Sequence, residues 1–274
     1  MTAIREALPQ APRPQTAPPV RLALADYLTL GNALCGFMAV WQLASAQVGQ
    51  LAAGVPGPLE RHDVTAAVTL LLIAAVCDLF DGRVARKLGG SDMGAELDNL
   101  ADVISFGFAP AFFVVVWGST TDAGLLPIGA AAAVLLAVVV RLARFSCQAP
   151  GSRYFTGLPS PLGAVAVITV VLLDPPGYLG TAAVLLVAWL MVSRVEYPKP
   201  QGRVAYGLLA AILAGVGCLS AWAVDAPAGT ALLYSGCALL LLVVLTVPFY
   251  VLLTRRAVPQ DDAPAVAVPP TREG

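Results

Sequence analysis

Four aspartates carry the chemistry that this sequence offers. Asp78 and Asp81 lie in the run Cys77-Asp78-Leu79-Phe80-Asp81-Gly82-Arg83-Val84-Ala85-Arg86, and Asp98 and Asp102 in the run Gly94-Ala95-Glu96-Leu97-Asp98-Asn99-Leu100-Ala101-Asp102. At about 100° per residue, Asp78, Asp81, Gly82 and Ala85 share one face of a helix. Gly94, Asp98 and Asp102 stack at i, i+4 and i+8 on the next. Carboxylates gathered this closely repel one another, and burying them unpaired is costly. A divalent cation removes that cost, and an all-oxygen donor set favours Mg²⁺, Mn²⁺ or Ca²⁺ over softer metals. The small residues at 82, 85 and 94 leave room for a bulky group to approach the backbone, while Arg86 and Lys87 supply positive charge for a phosphate. Taken singly, Gly82 and Gly94 read equally well as helix-packing residues, and the basic residues as topology signals. The four aspartates together point to a site.

The elements that must position them are membrane helices. The chain has 274 residues, of which 58% are hydrophobic and only 12% charged, whereas about a quarter of a soluble domain is charged. An all-α integral membrane protein follows, since a bilayer core needs about 20 mostly apolar residues per helix. Charge, Pro and Gly divide the body into about eight candidate transmembrane helices, near 24–47, 64–84, 96–117, 124–145, 159–175, 178–193, 204–223 and 229–253. Pro175, Pro176 and Gly177 make a tight turn between the fifth and sixth. Fifteen of the sixteen Lys and Arg residues fall on alternate connections, and Arg61 is the exception. Acidic residues (Asp122, Asp174 and Asp225) occupy the other side. This positive-inside asymmetry places both termini and the acidic cluster at the cytoplasmic face. Ionisable residues at the bilayer are functional candidates by default. Residues 1–21 and 257–274, rich in Pro and Ala, read as disordered cytoplasmic tails rather than as a cleaved leader. The five cysteines show no metal-ligand spacing and read as packing residues, and His62 as a solvated one.

The string Asp78-x2-Asp81-Gly82-x2-Ala85-Arg86-x7-Gly94-x3-Asp98-x3-Asp102 fixes eight positions over 25 residues. It resembles the signature of the CDP-alcohol phosphatidyltransferase family. That resemblance implies a six-helix catalytic core, here 22–200, with 201–256 adding two helices. It also implies a homodimer with a metal site facing the cytoplasm of the cell membrane. Asp78, Asp81 and Asp98 would act chiefly as Mg²⁺ or Mn²⁺ ligands, and Asp102 as a further ligand and the general base. Gly82, Ala85, Arg86 and Gly94, with Asp78, would cradle the CDP moiety. Thr29 and Asn32 would touch the nucleotide or pack beside it.

Flanking strings are similar to the phosphatidylserine synthase branch: Leu28-Thr29-Leu30-Gly31-Asn32, Asp98 through Ala111, Arg141-Leu142-Ala143-Arg144-Phe145, Phe155 through Pro161, and Met191-Val192-Ser193-Arg194 with Tyr197-Pro198. Asn99 stands where that branch usually has Ser, and Ser146 where it usually has Asn. The implied substrates are CDP-diacylglycerol and L-serine, alongside membrane lipids and without nucleic acid. The carboxylate of serine asks for positive charge, for which Arg141, Arg144 and Arg194 are the candidates. The segment from Phe155 to Pro161 reads as a loop over the polar site or as a plain connector. Glycerol 3-phosphate or inositol phosphate as acceptor, and an ether-lipid donor, remain open. A cation transporter is disfavoured, because such sites lie near the bilayer midplane on discontinuous helices.

Overall fold

The computed structural model describes residues 21–55, 57–147, 154–193, 196–198, 202–224 and 226–255. Apart from Arg21, both expected tails lie outside them, as does Arg194. Nine α-helices run in chain order through the described residues: α1 (Leu24–Ala52), α2 (Arg61–Leu88), α3 (Gly94–Asp102), α4 (Ala109–Gly118), α5 (Leu126–Ser146), α6 (Ser160–Leu172), α7 (Gly177–Val192), α8 (Gly202–Ala223) and α9 (Gly229–Arg255). The all-helical expectation holds. The extended pairing found among the described residues is one antiparallel ribbon, β1 (Tyr154–Thr156) against β2 (Glu196–Pro198).

Helices α3 and α4 are one rod, joined through a π-helical segment, Val103–Phe108. The sequence reading expected an unbroken span there. Pro110 has no N–H for the carbonyl of Phe106, so an α register cannot continue through it. The Ala109 N–H instead bonds the carbonyl of Ile104, five residues back. The ladder widens where the proline requires it, directly after Asp102.

Five helical stretches are long and apolar enough to cross a bilayer: Leu24–Ala52, Arg61–Leu88, Gly94–Gly118, Leu126–Ser146 and Gly229–Thr246. The 13 residues of α6 reach only about 20 Å, short of the roughly 30 Å of a hydrocarbon core. This helix is instead an interior element, buried at Gly163, Ala164 and Ala166 through Val171. Helices apolar all round are found in such interiors. Asp174 follows α6 at φ 43°, a left-handed conformation that Asp tolerates better than most residues. It accepts a hydrogen bond from Trp117 Nε1 at 2.9 Å.

Helix α1 has the reverse of a soluble helix's amphipathicity. Tyr27, Leu30, Leu34, Phe37 and Trp41 are exposed, while Asp26, Thr29 and Asn32 are buried. The outward face suits lipid, and the inward stripe changes character along its length, from Asp26, Thr29 and Asn32 to Gly36, Ala39 and Leu43. α1 packs along α2 and also against α3 and the π segment, whereas α2 and α3 make little backbone contact with one another. The two helices meet through their carboxylate side chains, and α1 is the wall they share. Gly36 makes the close approach possible. A Cβ there would lie 2.7 Å from Ser105 Cα, and the Ser105 hydroxyl donates to the Asn32 carbonyl at 2.8 Å.

Two substitutions on this one helix should have opposite signs. Gly36→Ala is expected to destabilise by about 1–3 kcal/mol through overpacking. Gly49→Ala meets no atom within 4 Å and should stabilise by up to about 1 kcal/mol through helix propensity. Thermal unfolding of the detergent-solubilised protein measures both.

Candidate metal and phosphate site

One end of the bundle gathers the N-termini of α1, α3 and α6 with the C-termini of α2, α5 and α7. Carboxylate oxygens of Asp78, Asp98 and Asp102 come within 4.8 Å of one another there. Asp102 is buried and the other two are half-buried. Their surroundings are short of donors. Asn32 Nδ2 reaches Asp102 Oδ1 at 3.4 Å, and Arg141 is near enough to interact electrostatically with Asp78 and Asp102. Asp98 Oδ1 is buried without any protein partner, as is Asn32 Oδ1. A buried carboxylate oxygen with no donor is a costly arrangement. These residues therefore fit a hard divalent cation, which would satisfy the orphaned oxygen and relieve the mutual repulsion in one step.

Asp81, the fourth aspartate, is turned toward α1. Its Oδ2 accepts from the Thr29 hydroxyl at 2.9 Å, and its Oδ1 accepts the Gly82 backbone N–H. Two bonds leave lone pairs free on a carboxylate that has about four acceptor positions. Asp81 thus stays at the edge of the cluster, held by the residue that the sequence paired with the nucleotide. Thr29 itself is buried, and the Ala25 carbonyl, 3.3 Å from Oγ1, is the alternative acceptor for its single proton.

The expected CDP cradle is partly a packing feature. At Gly82 the space a Cβ would fill borders Arg86 Nη1 at 3.5 Å, so the guanidinium lies over the glycine and keeps positive charge beside it. Ala85 meets the backbone turn at Gly90, where a Cβ would be 3.6 Å from its own. Gly94 faces α1, because a Cβ there would stand 3.3 Å from Asp26 Oδ1. Asp26 is a residue that the sequence reading did not single out. It is 1% exposed and accepts from the Ala23 N–H at 2.7 Å through Oδ2, a capping-box bond at the start of α1. Its charge also lies close to the N-terminus of α3, where the helix dipole favours an anion. The signal was present in the i, i+3, i+6 spacing of Asp26, Thr29 and Asn32.

The three arginines offered for an acceptor carboxylate diverge. Arg141 Nη1 donates to the buried Ser160 hydroxyl, while its Nε is buried without a partner. Arg144 Nη1 instead donates to the Val192 carbonyl at 3.0 Å and ties α5 to the end of α7. Arg194 lies outside the described residues. The segment before α6 is a fixed strap: the Leu158 N–H bonds the Leu190 carbonyl at 3.1 Å. Gly157 takes φ +82° with the Met191 carbonyl against it, a conformation that favours glycine. This strap delivers Ser160 to Arg141.

A cavity of about 250 Å³ lined by Arg61, Trp117, Asp174 and Trp222 occupies the opposite end of the bundle. Its polar groups serve one another. Arg61 donates to the Trp222 carbonyl and stacks on that indole at 5.3 Å. Asp78, Asp98 and Asp102 are not part of it.

The site is an oxygen-only acidic cluster that could hold a divalent metal ion, set beside basic residues at one end of a bundle of apolar helices. The chain belongs to the CDP-alcohol phosphatidyltransferase family, whose model matches residues 22–195. It is 35% identical over 185 residues to an archaetidylserine synthase of Methanothermobacter thermautotrophicus, covering 66% of this chain and 72% of that one. It is 39% identical over 157 residues to a CDP-diacylglycerol–serine O-phosphatidyltransferase of Mycobacterium leprae, covering 51% of each. A Bacillus subtilis protein of the same name is 30% identical over 185 residues, covering 66% of this chain and 93% of that protein.

Asn32→Leu tests the geometry of the cluster. Loss of the amide that orients Asp102 should weaken Mn²⁺ binding about 10–100-fold, read by electron paramagnetic resonance titration. Unchanged metal affinity would mean that Asn32 serves the nucleotide alone.

Proposed function

We propose that this protein transfers the phosphatidyl group of CDP-diacylglycerol to the hydroxyl of L-serine, giving phosphatidylserine and CMP. The observation that carries this reading is the convergence of Asp78, Asp98 and Asp102 within 4.8 Å beside Arg141 and within the family's signature. The similarity to relatives named for serine transfer supports the choice of acceptor.

In this reading the serine hydroxyl attacks the phosphorus that bears diacylglycerol. The new O–P bond forms as the bond from that phosphorus to the CMP oxygen breaks. Asp102 accepts the hydroxyl proton, a role for which a carboxylate needs only to lie within hydrogen-bond reach of the entering oxygen. Arg86 faces the departing nucleotide phosphate, and Arg141 receives the serine carboxylate through the donors that Ser160 leaves free. Asp78, Asp81, Asp98 and Asp102 would hold Mg²⁺ or Mn²⁺, which would supply charge neutralisation to the pyrophosphate and the leaving phosphate. We further propose that the protein is a homodimer in the cell membrane with this site facing the cytoplasm. The basic residues at the aspartate end (Arg83, Arg86, Lys87, Arg141 and Arg144) support that orientation.

The donor lipid has a second reading. A relative named archaetidylserine synthase favours testing an archaetidyl group beside the phosphatidyl one. CMP release should be followed with each CDP-lipid, Mn²⁺ or Mg²⁺, and serine, glycerol 3-phosphate or inositol phosphate in parallel. Release with serine supports the reading; release only with another acceptor overturns the serine assignment; release with none overturns the enzyme assignment. Asp102→Asn should lower turnover by about 10²–10⁴-fold while the nucleotide lipid still binds. Arg141→Ala should raise the KM for serine and leave that of the CDP-lipid in place.

A further inference from the structure

A side-chain hydrogen bond joins α3 to α5 one residue beyond Asp98. Asn99 Nδ2 donates to Ser146 Oγ at 3.0 Å. Ser146 in turn donates its hydroxyl proton to the Leu142 carbonyl at 3.2 Å, back along its own helix. With that proton committed, Ser146 can only accept from Asn99, so the direction of the bond is fixed. One long side chain on α3 and one short one on α5 together span the gap.

The position of the bond gives it a task. Asn99 directly follows Asp98, whose Oδ1 is buried without a partner. Ser146 ends α5, the helix that carries Arg141 and Arg144. Among the described residues, no other side-chain hydrogen bond joins α3 to α5. Arg141 is the α5 charge that interacts with Asp78 and Asp102. The bond therefore ties the helix bearing two of the clustered carboxylates to the helix bearing the acceptor's candidate arginine.

We propose that Asn99 and Ser146 are a matched positioning pair that sets the α5 arginine against the α3 carboxylates, and so aligns the acceptor with the donor phosphorus. This inference rests on the transferase reading above. Neither residue touches the reacting atoms; the pair acts through the spacing of the two helices. Asn99→Ser leaves two short side chains that cannot bridge the gap. Ser146→Asn puts two long ones into it. The exchange Asn99→Ser with Ser146→Asn restores the total reach.

The test compares four full-length proteins in detergent or nanodiscs: the wild type, both single variants and the exchanged double variant. Each single change is expected to lower kcat/KM for the acceptor about tenfold through misalignment, with the KM for the CDP-lipid unmoved. The exchange should return kcat/KM to within about twofold of wild type, whereas independent sites would give multiplied losses. Single variants that behave as wild type overturn the proposal, as does a double variant that falls by the product of the singles. A shift in melting temperature without any change in acceptor KM overturns the positioning role, because a merely structural tie would move only the former. The kinetics use whichever acceptor releases CMP with the wild type, so a failure of serine itself sinks the acceptor assignment and leaves the pair scored. If no acceptor releases CMP, the transferase reading falls, and the positioning role that rests on it falls with it, whatever the melts show.

Discussion

Like charges held together in an apolar bundle are the constraint on which the rest of this structure depends. Asp78, Asp98 and Asp102 cannot stay close, ionised and undersolvated without compensation. The protein's own donors answer only part of that demand, namely Asn32 toward Asp102, Thr29 and the Gly82 N–H toward Asp81, and Arg141 across the cluster. The unmet part is what suits the site to a cation. Polar residues on the buried stripe of α1 and the glycines that bring α1 and α3 close are consequences of the same demand.

Helix α1 illustrates how a membrane reverses the ordinary logic of packing. Its lipid-facing side needs only to be apolar and can be irregular, so Tyr27, Leu30, Phe37 and Trp41 make no specific contacts that the fold requires. Its inward side must satisfy hydrogen bonds at one end and exclude space at the other. Asn32 bonds Asp102 with its side chain and Ser105 with its carbonyl, and Gly36 one turn later admits the Ser105 backbone. Three successive features on one stripe thereby fix the depth and rotation of the candidate base.

Much of this was legible in the sequence, for identifiable reasons. Apolar runs announce themselves by composition, and the expected runs fall on observed helices with shifts of a few residues at their ends, although only five described stretches are long and apolar enough to span. The acidic cluster was legible because charge in such runs has no neutral explanation and its spacing follows the helical period. Less legible were features that depend on which side chain faces which. Spacing could not say that Asp81 would turn to Thr29 while the other three converge, nor that Gly94 would serve Asp26. It also could not separate Arg141 from Arg144, since both end the same helix and only their partners, Ser160 and the Val192 carbonyl, differ. The π segment was announced only by Pro110, a signal that an apolar run conceals.

That π segment has a consequence for how the molecule can vary. Within the rod from Gly94 to Gly118, the widened ladder takes up one extra residue between the half that carries the carboxylates and the half that packs into the core. The two halves are thus phased independently: α4 is oriented by the core, and α3 by α1. A shift of the core against α4 can be absorbed as a local change in helical winding before it reaches Asp102. The rod works as a coupling with angular play between the core-packed part and the carboxylate-bearing part.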